Sequence, residues 1–416
     1  MRMNKGLVPK LRFAEYIGNK LKMTRLGKLS SVLKERVGEN KYTLMSVTSG
    51  VGLIPQAEKF GREIAGDSYK NYIVIKKYDF AYNKSATKRF PEGYISMLRE
   101  YDTAAVPNSI FTCFRITDSE SYPLFFDYLF HNNYHGHWLK KYIEVGARAH
   151  GALSFDTKHL WSMPLALPDF KEQQKIADCL SSIDELIDAE SRKRKALEKY
   201  KKGLMQKLFP AEGKTLPEWR FPEFQGCGEW KSKAIEHACQ IFSGGTPDTS
   251  KKEFYGGEIP FIRSAEINKA STELFITEEG FKNSSAKMVK KGDVLIALYG
   301  ANSGEVALSK INGAINQAIL CLRHETNNEF VYHYFTHMKN WIISKYIQGG
   351  QGNLSGQIIK SVNFYFPKPE EQQKIADCLS ELDTLITEQI NKIDQLKTHK
   401  KGLMQGLFPS LEEADV

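Results

Sequence analysis

Residues 172–181 read EQQKIADCLS, and residues 371–380 read the same ten letters. The shift of 199 continues without a gap to Pro210 and Pro409, with 24 identities over 39 positions. Both copies close on GLMQ-x-LFP, at residues 203–210 and 402–409. A ten-letter identity within one chain marks a duplication, so whatever the chain folds into is built twice from a common unit.

Each copy has the period of a long helix. Ile176, Leu180, Ile183, Ile187, Glu190, Arg194, Leu197, Lys201, Leu204 and Leu208 follow alternating steps of four and three. Ile375, Leu379, Leu382, Ile386, Gln389, Ile393, Leu396, Lys400, Leu403 and Leu407 repeat those steps. A 3.5-residue repeat over more than four heptads predicts a coiled-coil seam, and polar residues at its middle trade stability for register. Pro168 and Pro367 stand where helices begin, and no Gly or Pro interrupts either run before Gly203 and Gly402. About 33 residues at 1.5 Å each make a rod of roughly 50 Å. Pairing of the two helices within the chain is the economical arrangement; the heptads leave their relative direction open.

The segments before the helices, about 160 residues each, have the size of single domains. They echo one another faintly and in order. Residues 9–13 (PKLRF) match 217–221 (PEWRF), 75–79 match 289–293, 141–143 match 345–347, and 153–154 match 354–355. Strands are expected at 72–82, 111–116 and 163–167 in the first segment, and at 259–263, 293–299, 314–322 and 362–366 in the second. Helices are expected at 124–145 and 329–347. The fold class is therefore α+β, a tandem repeat of a mixed α/β domain followed by a long helix. The expected boundaries are 1–167 and 211–366 for the domains, and 168–210 and 367–416 for the helical regions.

Composition narrows the class of chain. With 41% hydrophobic and 12% aromatic residues it is not a disordered polymer. It has no apolar run of 18 residues and no signal-peptide core near its start, so the cytoplasm is the expected location. The six cysteines form no CxxC pair and read as reduced thiols. The net charge of +9 is uneven. Residues 1–165 hold 25 Lys+Arg against 15 Asp+Glu, whereas 211–365 hold 17 against 16. Such asymmetry fits a polyanionic partner, held differently by the two domains.

Catalytic signatures are missing. There is no GxGxxG opening a helix after a strand, and no Walker loop. Residues 243–247 (SGGTP) and 349–356 (GGQGNLSG) are Gly-rich but lack a phosphate-loop lysine. No Asn/Asp-Pro-Pro-Tyr tetrapeptide marks an adenine methyltransferase, and no acidic residue with Glu/Gln-x-Lys in a strand marks a nuclease. His131, His135 and His137 lie among aromatics with no carboxylate or Cys beside them, which favours packing over metal binding. His333 and His337 read the same way. No metal or cofactor is expected in this chain. What remains is recognition chemistry. Lys76, Lys77, Lys84, Lys88 and Arg89 gather around Tyr78, Tyr82 and Asn83 in the sequence, a combination suited to phosphates. In the second segment Ser243, Thr246, Arg263, Ser264, Tyr299, Asn302, Asn316 and Gln317 fall at or beside strand ends. Asn and Gln suit adenine and Arg suits guanine.

At this point the sequence resembles a known family, the specificity (S) subunits of type I restriction–modification enzymes. The resemblance rests on P-x-L/W-R-F at each domain start, on SGGTP…EFYGGEIPFIRSAEI at 243–267, and on VKKGDVLIALYGANSG at 289–304. AINQAIL at 314–320 and the duplicated EQQKIADCLS…GLMQ-x-LF complete it, so that it covers nearly the whole chain. The first domain departs most, keeping only Tyr78-Asp79 where the second has Gly-Asp. The resemblance implies two target recognition domains, each reading half of a split, asymmetric site in double-stranded DNA. It implies an antiparallel pair of helical spacers that sets the half-site spacing and docks two modification (methyltransferase) subunits. S-adenosylmethionine would sit on those subunits, restriction/translocase subunits would complete the nuclease, and this chain would not be catalytic. The same motifs would serve a DNA-reading subunit partnered with a fused nuclease–methyltransferase. A helical scaffold that binds no DNA is the reading of a different class.

Overall fold

The computed structural model describes residues 7–108, 111–143, 153, 156–346, 354–409 and 411. The chain divides into two compact units, residues 1–190 with 392–416, and residues 191–391. The division falls inside both long helices.

In the first unit, β1 (Lys22–Arg25), β2 (Ser30–Val32), β3 (Met45–Thr48), β4 (Gly52–Pro55) and β5 (Ile73–Lys76) precede β6 (Phe80–Asn83), β7 (Tyr94–Met97), β8 (Thr103–Val106) and β9 (Phe111–Ile116). Helices α1 (Pro123–His131) and α2 (Tyr134–Leu139) follow, then β10 (Pro164–Leu167) and the long helix α3 (Phe170–Leu208). The main sheet has the order β2-β9-β6-β7, while β1 pairs β10, β3 pairs β4 and β5 pairs β8, all antiparallel.

In the second unit the strands are β11 (Lys231–Ala234), β12 (Cys239–Ser243), β13 (Tyr255–Ile262), β14 (Phe275–Ile276) and β15 (Lys287–Val289). Then come β16 (Val294–Ala297), β17 (Val306–Leu308), β18 (Gly313–Ile315), β19 (Ile319–His324), helix α4 (Asn328–Tyr346), β20 (Asn363–Phe366) and the long helix α5 (Pro369–Leu407). The order β12-β19-β16-β17 repeats the main sheet of the first unit, and β11–β20 repeats β1–β10. A second sheet, β14-β13-β18-β15, includes one parallel pair, β13 with β18.

Three expected elements are broken by turns. The strand expected at 72–82 is two, because Tyr78 takes a positive φ of 73° and Asp79 Oδ2 accepts the Lys76 amide at 2.6 Å. The strand expected at 314–322 splits where Asn316 Oδ1 accepts the Ala318 amide at 3.1 Å. The helix expected at 124–145 breaks at Asn133, which sits in the left-handed region at φ 57°. Residues 144–145, 154 and 347, and 349–353 of the Gly-rich run, lie outside the described residues.

Each unit builds its core on the start of one long helix and the end of the other. In the first, Ile176, Ala177 and Leu180 join Met404, Leu407 and Phe408 against Phe125, Phe126 and Leu129. In the second, Ile375, Ala376 and Leu379 join Met205, Leu208 and Phe209 against Phe330 and Tyr334. The helices are therefore antiparallel within each unit. Lys400 Nζ lies 2.6 Å from both Asp184 carboxylate oxygens in one, and Lys201 Nζ lies 2.5 Å from Asp383 Oδ2 in the other. The repeat shift maps one of these pairs onto the other. Along the seam Ile176, Leu180, Leu208, Ile375, Leu379, Leu382, Ile393 and Leu407 are buried. Ile183, Ile187, Leu197, Leu204, Ile386, Leu396 and Leu403 are partly so.

The duplicated decapeptide does the same work twice. Glu172 receives the Arg12 guanidinium, and Glu371 receives that of Arg220 through bonds of 2.8 and 2.6 Å. Gln173 Nε2 donates to the Pro168 carbonyl at 2.9 Å, and Gln372 Nε2 to Pro367 at 3.0 Å. Lys175 lies over the Phe13 ring, and Lys374 over Phe221. Packing and pairing thus explain the identity of the copies in this stretch.

Candidate nucleic-acid interface

In the second unit the expected recognition residues come from different strands yet converge. Ser243, at the end of β12, registers with Leu320 of β19, and Ala297, at the end of β16, registers with Ile319. Ile262, which ends β13, registers with Ile315, which ends β18. The loops after β12, β13, β16 and β18 therefore leave the sheets along one edge. Thr246 Oγ1 donates to Gln317 Oε1 at 2.7 Å across that edge, and the Gly244 amide donates to the Asn316 carbonyl at 3.3 Å. Ser243, Thr246, Tyr299 and Gln317 are exposed, and Ser264, Asn302 and Asn316 are half-buried. Leu354 donates its amide to the Leu298 carbonyl at 3.0 Å, which brings the end of the second Gly-rich run to the same edge.

Gly244 is required there by close approach. A Cβ on it would lie 1.7 Å from the Ile315 carbonyl oxygen. Arg263 behaves differently from the expectation of a free guanine reader. Its guanidinium is held by Glu266 at 3.0 and 3.1 Å and by Glu273 at 2.6 Å. Those bonds push the Glu266 carboxyl down to about 2. Arg263 shapes the β13 loop through its Nε and Nη2 donors, which are engaged by the two carboxylates.

The first unit divides the expected cationic cluster. Lys84 follows β6, and its carbonyl accepts the Leu153 amide at 2.7 Å, the counterpart of the Leu298–Leu354 bond. Lys88 and Arg89 are exposed in the turn between β6 and β7, with Arg89 5.4 Å over the Phe90 ring. Lys76 and Lys77 stand at the other end of β6, roughly 13 Å away at 3.3 Å per residue. Lys76 Nζ is 3.9 Å from Glu35 there, and Lys77 leans over Tyr78. Asn83 is buried, giving Nδ2 to the Val47 carbonyl at 3.3 Å and taking the Ser85 amide at 2.9 Å. It supports the edge from behind.

A second duplicated device fixes the opposite ends of the main sheets. Arg115 grips Asp79 at 2.6 and 2.7 Å, and Arg323 grips Asp293 at 2.9 and 2.5 Å. The sequence echo between 75–79 and 289–293 contained both aspartates; their arginine partners, 36 and 30 residues on, carried no local signal. Burial alone would raise the Asp293 carboxyl, but the Arg323 bonds and the Lys290 amide outweigh it and hold it below its ordinary value. A lowered carboxyl adds stability above its unfolded value of about 3.9 and loses it as pH falls through the folded one. Asp293→Asn should therefore cost about 2 kcal/mol at pH 7. Denaturation midpoints between pH 3 and 5 should fall less steeply in this variant than in the parent.

His131 differs from the expectation of no neighbouring carboxylate, since its Nδ1 lies 2.7 Å from the Asp127 carbonyl oxygen and 3.5 Å from Asp127 Oδ1, one helical turn back; His135 and His333 serve packing. Burial pushes His135 and His333 down to about 3, and His333 Nε2 lies 3.1 Å from Ser380 Oγ. Among the described residues no group of three or more His, Cys, Asp or Glu is placed to hold a metal ion. No helix among them is long and apolar enough to cross a membrane.

The model of the type I restriction modification DNA specificity domain matches residues 39–199 and 228–397, and the chain belongs to that family. It is 30% identical over 197 residues to the type I restriction enzyme MjaIX specificity subunit of Methanocaldococcus jannaschii, across 44% of this chain and 45% of that one. A further chain of the same organism is 28% identical over 273 residues, covering 64% of this chain and 63% of its own length. The EcoR124I/EcoR124II specificity subunit of Escherichia coli is 27% identical over 169 residues, 38% of this chain and 42% of the relative. These alignments thus span less than two thirds of each relative. Among solved structures, the S subunit of a type I restriction-modification system from M. genitalium superposes with a TM-score of 0.62 at 15% identity, over 97% of this chain and 100% of the other. A chain from a structure on complex assembly and conformational transition of the type I R-M system gives 0.57 at 16% identity, over 94% and 98%. At those identities the likeness is one of fold.

Proposed function

We propose that this chain is the DNA-specificity subunit of a type I restriction–modification complex, each unit reading one half of a bipartite, asymmetric site in double-stranded DNA. The observation that carries the reading is a family match on each half of the chain, with neutral polar side chains along the sheet edge of the second unit and the exposed cations Lys88 and Arg89 at that of the first. Being two readers in one chain, the units need not recognise the same half-site, unlike the halves of a homodimer. The chain performs recognition and no chemistry. Two modification subunits dock on α3 and α5 and bring S-adenosylmethionine, and restriction/translocase subunits complete the assembly in the cytoplasm.

Methylome sequencing of a host carrying this chain with its methyltransferase should give one split motif with methyladenine in each half; an unsplit motif overturns the reading. Removing seven residues from each long helix keeps the seam in phase and shortens each by about 10 Å. The unread spacer should then lose about three base pairs, at roughly 3.4 Å each. An unchanged spacer would exclude the helices as its ruler. Lys88→Gln with Arg89→Gln should weaken binding several-fold for all sequences alike, as loss of phosphate contacts does. Lys76→Gln with Lys77→Gln, at the far end of β6, should leave affinity near the parent value in the same titration.

A further inference from the structure

The units carry nearly equal charge once each is counted with its share of both helices. Residues 1–190 and 392–416 hold 31 Lys+Arg and 26 Asp+Glu; residues 191–391 hold 27 and 23. The second unit's charge has an unusual source. Residues 211–365 hold 17 basic and 16 acidic side chains, whereas residues 191–208 of α3 alone hold eight basic residues against Glu198.

Part of that surplus forms a stripe. Arg192, Lys195, Lys199 and Lys202 stand at i, i+3, i+7 and i+10, on one face of α3 and turned away from Leu197, Lys201 and Leu204 of the seam. All four are exposed. Among the described residues none of the four has an ion pair, whereas the more sheltered Lys201 and Lys400 are both paired across the helices. The stripe is absent from the other copy: the repeat shift places Asn391, Asp394, Thr398 and Lys401 at the same positions. Packing kept the seam alike in both copies, so it does not account for a face that differs this much.

We propose that Arg192, Lys195, Lys199 and Lys202 form a phosphate-tracking stripe that binds the DNA backbone without reading bases, supplying the second unit with the cationic contact that its sheet domain lacks. The inference rests on the DNA-reading function above. Four cations span about 15 Å of helix at 1.5 Å per residue, a length over which duplex DNA carries roughly nine negative charges at one per 1.7 Å. A docking surface shared by two identical protein partners would be expected on both helix copies, and the stripe is on one.

The test is fluorescence anisotropy of labelled duplex on the full-length chain, in the complex in which it purifies, from 50 to 200 mM salt. Each lost phosphate contact lowers the slope of log affinity against log salt by about 0.9. The variant R192Q/K195Q/K199Q/K202Q should lower it by 3 to 4, equally for cognate and unrelated duplexes. The reverse variant, N391R/D394K/T398K, should steepen it, which guards against a result due to misfolding. A parent chain with a steep slope that the first variant leaves unchanged overturns the stripe and spares the DNA reading. A parent chain with no salt-dependent DNA binding overturns the DNA reading itself. Loss of a co-purifying protein subunit at an unchanged slope assigns the stripe to protein docking and overturns the proposal.

Discussion

Replacing Glu371 by Ala should cost the second unit about 3–5 kcal/mol, the penalty for stranding one member of a buried ion pair. The partner left behind, Arg220, has an 8% exposed side chain and gives its third bond to the Gly228 carbonyl at 2.8 Å, so it cannot swing into water cheaply. The bonds to Glu371 hold the Arg220 guanidinium's affinity for its proton above the ordinary value, against burial. The loss should appear as a lower urea midpoint for the unit built on residues 191–391, with the transition of the other unit unmoved. Glu172→Ala should do the converse through Arg12. If either variant unfolds both units together, the two are not independent in stability. The Glu371→Ala, Arg220→Met double variant should recover part of the loss, since no buried charge then stands alone.

Gly244→Ala should be the most damaging single-methyl change on the recognition edge. Its Cβ would be driven against the Ile315 backbone, 1.7 Å from the oxygen and 2.5 Å from the carbonyl carbon, and no rotamer relieves a clash with backbone. Overpacking of this kind costs about 1–3 kcal/mol or more, through displacement of the end of β12 from the end of β18. That displacement would also part Thr246 from Gln317. Specific duplex binding should fall at least tenfold, and the denaturation midpoint should fall with it. Thr246→Ala removes the hydroxyl and γ-methyl at an exposed site without a backbone clash, and so separates the two effects. It should leave the midpoint within experimental error while changing discrimination among base sequences. A stable, fully discriminating Gly244→Ala protein would show that the edge does not depend on this approach.

Much of the architecture is legible in the letters because the chain states it twice. The heptads place both long helices, and the decapeptide identity marks where each joins its domain. Turns were harder. Tyr78 at a positive φ and Asn133 in the left-handed region interrupt stretches rich in strand and helix formers, and the hydrophobic pattern runs straight through both. The polar edge of the second unit was legible as a set of strand-end residues, since loops at strand ends are where side chains leave the sheet. Its internal bonds were not, because Arg263 and Glu266 look like any charged pair until the loop folds them together. Long-range partners such as Arg323 for Asp293 have no sequence period at all. The direction of the helix pair was similarly hidden, since a seam reads alike both ways.

The crossed ownership of the helices has a consequence for synthesis. Everything the second unit needs, residues 191–391, is available before the ribosome has made the last turns of α5. The first unit waits for Met404, Leu407 and Phe408, although its sheets were made long before. The chain should therefore mature from the middle outward, with the domain translated first being sealed last. An arrested or clipped product missing residues 392–409 would leave the amino-terminal unit open and the later one closed, the reverse of the order in which they were made.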